Sequence, residues 1–343
     1  MQFPLQGLLQ FLPRCGNLSS MEMTTKHRIM GYIAASTSIL IWGITFISTK
    51  VLLEDFTPIE ILFYRFIFAY LLLFALSPKF IRPKKDKSEL LYAVAGLCGV
   101  TLYFLFQNIG LLYTLASNAG VIVAVAPMFT AIISFFLISR TSLHRNFIIG
   151  FFITIVGVAV INFNGNFVLK LNPLGDVLII LGALSWAFYC NILVLINNKE
   201  LSLIQHTRKV FFYGLLFMIP TLFSSEFHFG LSRFSDIAIL GNTLFLAFGA
   251  SALAFLTWNF AVGTLGSVKT ATYLYFSPIV TVIASVIILH EPITWISLSG
   301  TILIIFGLIV SERKSRAQTL PDNDLIENND AETSGDLTES DPS

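Results

Sequence analysis

Apolar residues along the chain fall into ten runs, separated by short stretches that hold most of the charge. They lie near Ile29–Leu53, Pro58–Ser77, Leu90–Leu112, Ala119–Ile138, Phe147–Phe163, Leu174–Ile196, Val210–Phe223, Ile237–Val262, Ser267–Leu289 and Ile293–Val310. The seventh is short. About twenty apolar residues cross a hydrocarbon core of ~30 Å as a helix. Backbone groups in lipid must be satisfied internally, and the period-two alternation of a barrel strand is absent. The pattern therefore predicts ten membrane-spanning helices.

Two of the runs echo each other. One block reads APMFTAIISFFLIS from Ala126, the other SPIVTVIASVIILH from Ser277. At an offset of 151 residues, Pro127 matches Pro278, Thr130 matches Thr281, Ser134 matches Ser285 and Asn108 matches Asn259. The register then slips by one, and Gly150 and Gly157 match Gly300 and Gly307. A repeat spread through spanning helices is the usual build of a secondary transporter, with its site between the halves. The expected division is an N-terminal cytoplasmic extension over 1–28, five-helix repeats over 29–165 and 166–312, and a tail over 313–343.

Composition agrees with a membrane chain: mean hydropathy is +0.78 and 12% of residues are charged. A net charge of +1 gives no reason to expect nucleic acid. With the N-terminus inside, sixteen Lys and Arg fall in inside segments and only Lys170 and Arg233 in outside loops. That bias predicts cytoplasmic ends. Five is odd, so the two halves then run in opposite senses and the repeat is inverted. Residues Pro321–Ser343 carry eight acidic residues and no basic ones. Such a segment cannot bury enough apolar surface to order itself, and it is expected to be a disordered acidic tail. The first twenty residues lack the layout of a signal peptide, and Met21 or Met23 is an alternative start.

LIWGITFISTKVLL (Leu40–Leu53), followed by TPIEILFYRFIFAYLLL (Thr57–Leu73), resembles the opening helices of the EamA-type transporters of the drug/metabolite transporter superfamily. The Trp-Gly pair, Lys50 and the Arg65-Phe66 pair carry the likeness. So do the stretches Asn108–Phe135 and Trp258–Pro292. The resemblance covers roughly Gly31 to Glu312. It implies an all-α integral membrane protein, with ten transmembrane helices as two inverted five-helix repeats around a central cavity. It also implies small organic solutes, amino acids and related metabolites being typical, often moved outward. One departure stands out: the family commonly has a glutamate after the fourth and ninth helices, and here Glu291 fills the second place while Arg140 stands at the first.

Lys50, Arg65 and Lys269 fall inside predicted spans. A charge at mid-bilayer is costly and tends to face a cavity or a partner. Arg65, about seven residues into its span and so roughly 10 Å deep, either lines the cavity or bonds helix carbonyls. Lys50 faces the cavity, pairs with Glu54 or snorkels. Lys269 attracts a substrate anion or snorkels. Trp42, Trp186, Tyr189, Trp258 and Tyr273 offer rings with one polar tip, suited to an amphipathic solute or to an interfacial belt. Asn108, Asn118 and Asn259 bind substrate or join helices. Pro127 and Pro278 each remove a backbone hydrogen bond and are read as symmetry-related hinges, or as static kinks. The paired glycines permit close helix contact.

No carboxylate lies near the middle of a span, which favours facilitated diffusion or exchange over a carboxylate proton relay. His206 and His290 are the titratable alternatives. The five histidines and three cysteines lack metal or nucleophile spacing, so no cofactor, no metal and no catalytic residue is expected. The leading function is a metabolite carrier of the inner or plasma membrane, working by alternating access. A non-transporting receptor or assembly subunit and a membrane-embedded enzyme are the other classes. Expected partners are a small-molecule substrate and the lipid bilayer, with a homodimer left open. Epitope tags at the two ends should be reached by antibody from the same, cytoplasmic side of sealed vesicles. Detection on opposite sides would end the inverted-repeat reading.

Overall fold

The computed structural model describes residues 25–83, 86–114, 119–120, 122–138, 145–162, 173–196, 201–223, 227, 230–289 and 295–312. The expected N-terminal extension up to residue 24, the acidic tail, Asn118, Arg140, His290 and Glu291 lie outside them. Among the described residues the chain is helical. The first half comprises α1 (Thr25–Leu52), α2 (Pro58–Leu76), α3 (Lys87–Tyr113), α4 (Val123–Leu137) and α5 (Arg145–Asn162). The second comprises α6 (Pro173–Leu195), α7 (Leu203–Phe223), α8 (Ile237–Leu265), α9 and α10 (Trp295–Glu312). Helix α9 joins Ser267–Ala271, a 3₁₀ turn at Thr272–Phe276 and Ser277–Leu289. Five helices, α1, α2, α3, α6 and α8, are long and apolar enough to cross a membrane.

Local chemistry sets the helix starts. At α2, Thr57 Oγ1 accepts from the Glu60 amide at 3.3 Å, and Glu60 Oε2 accepts from the Thr57 amide at 2.8 Å. This reciprocal box satisfies two otherwise orphaned donors. At α7 the pair is Ser202 and Gln205, at 3.0 and 3.4 Å. The repeat thus extends to the caps of the second helix in each half. Helix α7 starts at Leu203, seven residues before the apolar run at Val210. Gln205, His206, Thr207, Arg208 and Lys209 are all buried in that first stretch, where hydropathy alone places a loop. Their polar groups have partners just past the end of α2 and on α3 and α8, so tertiary contact overrides composition.

Helices α3 and α8 each widen into a π-helical stretch, at Leu97–Leu102 and Phe245–Leu253. The widened turns release carbonyls from the regular ladder. Neighbouring side chains take them: Ser185 donates to the Cys98 oxygen at 2.9 Å, and the Trp42 indole donates to the Ala250 oxygen at 2.9 Å. Helices α4 and α9 share another irregularity. A 3₁₀ turn (Val123–Val125 and Thr272–Phe276) runs directly into an α segment whose second residue is Pro127 or Pro278. The prolines therefore occupy the tolerated first turn of a new α segment. The break that the sequence places at the proline begins one turn earlier.

The halves interlock. Helix α1 packs on α8 and α9 of the second half, while α6 packs on α3 and α4 of the first. Thr281 Oγ1 donates to the Gly43 oxygen at 3.0 Å, and Asn191 Nδ2 donates to the Thr130 oxygen at 3.0 Å. Helices α5 and α10 pack on each other at the side of the bundle. Their contact is backbone on backbone: a Cβ at Gly307 would lie 2.7 Å from both the Gly150 oxygen and the Thr154 nitrogen. Gly307→Val should therefore cost about 1–3 kcal/mol through overpacking. The check is a lower unfolding temperature in detergent; an unchanged one would contradict the contact.

Candidate functional site

The middle of the bundle is an aromatic core where the sequence implies a cavity. Trp186 and Trp258 are buried, and Trp42 is partly so. The Trp42 ring centroid lies 5.1 Å from both of the others. Residues at equivalent places in the two halves meet here. Trp42 touches Trp186, Phe66 touches Phe211 at 5.0 Å, and Phe104 touches Phe255 at 6.0 Å. Self-matched contacts of this kind are what two related copies make about a twofold relation. Phe255 lies near the centre of the cluster, within 6.0 Å of Trp42, Phe66, Phe104, Trp186, Tyr189 and Phe211.

The polar groups around this core do not obey the symmetry. Arg65 is 2% exposed, and its Nε donates to Ser251 Oγ at 2.9 Å across to the π stretch of α8. Its guanidinium carbon lies 4.2 Å from the Phe104 centroid and 5.3 Å from that of Phe66. A ring face partly replaces lost hydration of a cation. The residue at the same turn of α7 is Val210. On the opposite side, Tyr189 donates to Asn259 Oδ1 at 2.6 Å, and Asn259 Nδ2 donates to Thr207 Oγ1 at 2.9 Å. That chain joins α6, α8 and α7 through the centre.

Each end of the core is closed by a charged cluster. Where α2 begins, Arg233 Nη2 meets Glu60 Oε1 at 2.8 Å, and Nη1 donates to the Asp55 oxygen at 2.8 Å. The same guanidinium stacks 4.1 Å from the Phe56 centroid, beside Tyr64 and Phe234. Hydrogen bonding to Glu60 holds the Arg233 pKa above its ordinary value. At the other end, Lys209 pairs with Glu89 at 2.6 Å, Tyr213 donates to the same carboxylate, and Tyr92 bonds His206 Nδ1. Arg208 donates to the carbonyls of Ser77 and Lys79 just past α2. An open cavity of about 160 Å³ lies there, lined by Tyr70, Phe74, Glu89, Arg208, Lys209 and Tyr213 among others.

Of the expected site residues, the fold unites Trp42, Arg65, Trp186, Tyr189, Trp258 and Asn259. Others lie elsewhere. Lys50 is exposed and donates to the Leu111 and Thr114 carbonyls at 2.7 and 3.4 Å, capping the end of α3 where a Glu54 pair was one expectation. Asn108 donates to the Pro58 oxygen at 3.1 Å and joins α3 to α2. Lys269 sits 5.0 Å from the Tyr32 centroid, and Tyr32 stacks on Tyr273 at 6.2 Å, so these three gather where α1 meets α9, with Tyr273 packed against the edge of the core. His206, one of the two titratable alternatives, is buried and bonds Tyr92. Phe66, Phe104, Phe211, Phe255, Ser251 and Thr207 are absent from the sequence-derived set. The repeat offset, applied to phenylalanines as well as prolines, would have found Phe104 and Phe255.

The family model described as the EamA-like transporter family matches residues 29–163 and again 173–312. A relative in Archaeoglobus fulgidus, named an uncharacterized transporter, is 30% identical over 82% of this chain and 97% of its own length. YvbV of Bacillus subtilis, also named an uncharacterized transporter, is 27% identical over 82% of this chain and 90% of its own. YedA of Escherichia coli K12, named an uncharacterized inner membrane transporter, is 25% identical over 79% and 87%. A solved crystal structure shares the fold at a TM-score of 0.63 and 16% identity, covering 83% of this chain and 98% of that one. Tyr189→Phe should leave Asn259 Oδ1 buried without its donor, at a cost of about 1–3 kcal/mol. Thermal unfolding in detergent reads this; equal stability of the two proteins would show that the chain through Asn259 contributes nothing.

Proposed function

Because the chain belongs to the EamA-like transporter family, we propose that it is a secondary transporter of small organic metabolites, of the amino-acid kind and related solutes, moved outward across the cell membrane by alternating access. In this reading ten helices span the bilayer as two inverted repeats, with both ends cytoplasmic. The membrane-spanning helices and the transporter relatives support a multi-pass carrier. One observation carries the mechanism. Equivalent rings from both halves meet at the centre, so a small rotation of one half parts them and opens the core to one side or the other.

The two charged clusters act as seals in this scheme. With both closed, the core is shut from each side. Breaking Glu60–Arg233 opens the α2-start side; parting α7 from the α2 end and the α3 start opens the opposite side. Surface-exposed ion pairs contribute little, but Glu60 is 1% exposed, so its partner is worth more. The 3₁₀-to-α joints at Pro127 and Pro278 serve as the matched bend points.

Purified protein in liposomes preloaded with one solute should take up labelled solute by exchange. Chemical change of the solute would favour an enzyme, and neither change nor flux a receptor. Arg233→Ala should alter the exchange rate at least about threefold by removing one seal, and should lower the unfolding temperature because Glu60 is left buried without its cation. An unchanged rate would remove this ion pair from the gating scheme.

A further inference from the structure

The centre carries hydrogen-bond donors in excess. Arg65 Nη2 and the indole nitrogen of Trp186 are buried with no hydrogen-bond partner, and the indole nitrogen of Trp258 has no oxygen or nitrogen acceptor, only the weakly accepting Cys190 sulfur. Each of these groups can donate and none can accept. A buried donor left unpaired costs about 1–3 kcal/mol. Donors of this kind on α2, α6 and α8 therefore create a demand for one acceptor-rich guest. A space of about 10 Å³ beside Arg65, lined also by Tyr64 and Thr243, has room for roughly one water, so a guest must displace rings to enter.

Charge sharpens this demand. Among the described residues the ion pairs are Lys209–Glu89 and Arg233–Glu60, at the two ends of the core. Among the described residues Arg65 has ring faces, the Ser251 hydroxyl and the uncharged Tyr103 phenol around it, and no carboxylate. Its positive charge therefore stands uncancelled in a low-dielectric setting, where such a charge is expensive and marks a functional group. A carboxylate has two oxygens with about four acceptor sites and cancels one positive charge. A zwitterion brings its own cation and leaves the balance as it was. An amine worsens it.

Resting on the carrier reading, and placing the anionic metabolites among its solutes ahead of the zwitterionic amino acids, we infer that the central site selects organic monoanions: a carboxylate on an aromatic or flat apolar body, held by Arg65 with the Trp186 and Trp258 N–H groups. The walls for that body are the rings of Trp42 and Phe255, which pack edge to face on Trp186, and of Tyr103 and Tyr189, which pack on it tilted. Rings of this kind bind flat apolar groups without needing a polar match. Arg65 has Val210 at its place in the other half, so the anion is engaged asymmetrically within a symmetric frame.

Four probes with one ring and spacer test this: hydrocinnamate, its neutral amide, phenylalanine as zwitterion, and phenylpropylamine as cation. Binding to the full chain in detergent is read by quenching of tryptophan fluorescence, since three of the four tryptophans lie in the core. Hydrocinnamate should bind at least about tenfold more tightly than each of the others. Arg65→Gln should erase that preference, Arg65→Lys should keep part of it, and Trp186→Phe should weaken only the anion. Equal binding of the amide, preference for phenylalanine or the amine, or no response to any probe would overturn the inference. The wild-type comparison and Trp186→Phe decide the matter even if Arg65→Gln fails to fold. Exchange in liposomes is measured separately. Selective binding without flux would end the carrier reading and leave the charge selection standing; flux of all four alike would do the reverse.

Discussion

The structure depends on an exchange of helices between its halves. Helix α1 finds its packing partners in α8 and α9, and α6 finds its own in α3 and α4. Neither half therefore buries its first helix by itself. In lipid, packing and interhelical hydrogen bonds hold helices together, because the surrounding tails are as apolar as the side chains. The bonds that cross the halves serve that need: Ser38 donates to the Ala254 oxygen at 3.0 Å, Trp42 to that of Ala250, and Asn191 to that of Thr130. Several of these acceptors are carbonyls freed by the π turns or lying beside them. Irregular backbone and interhelical bonding thus arise together.

Placing equivalent residues face to face has a consequence for function. In the proposed carrier, a core built of matched rings has two ways of parting related by the twofold, one toward each end. A binding group needs to break that match, because a solute is itself asymmetric. Arg65 does so on one side of the core, and the Tyr189–Asn259–Thr207 chain does so on the other. The first leaves donors unsatisfied, while the second is internally complete. The proposed engagement of solute rests on the unsatisfied side, while the complete side joins α6, α7 and α8.

The run from Gln205 to Lys209 shows how composition and tertiary structure compete. Its residues are polar enough to end an apolar run, and each is nevertheless buried. Burial is tolerable because every side chain has a partner: Ser77 for Gln205, Tyr92 for His206, Asn259 for Thr207, backbone carbonyls for Arg208 and Glu89 for Lys209. Those partners come from the segment just past α2 and from α3 and α8, so no local window of sequence contains them. The capping motif Ser-x-x-Gln at Ser202 is the one local sign that the helix starts early.

Apolar run length, the loop charge bias and the repeat offset are properties of the chain itself, and they determined a helical membrane protein of duplicated build. They also identified Trp42, Arg65, Trp186 and Asn259, because a polar or ring-bearing residue deep in an apolar run is costly unless it has a partner. What the runs do not encode is which helix faces which. Only tertiary structure decided that Lys50 caps α3, that Lys269 and Tyr273 gather on Tyr32 where α1 meets α9, and that the expected hollow is filled by Phe66, Phe104, Phe211 and Phe255. A phenylalanine in an apolar run looks the same whether it faces lipid or the molecular centre. Packing against the other half is what distinguishes them.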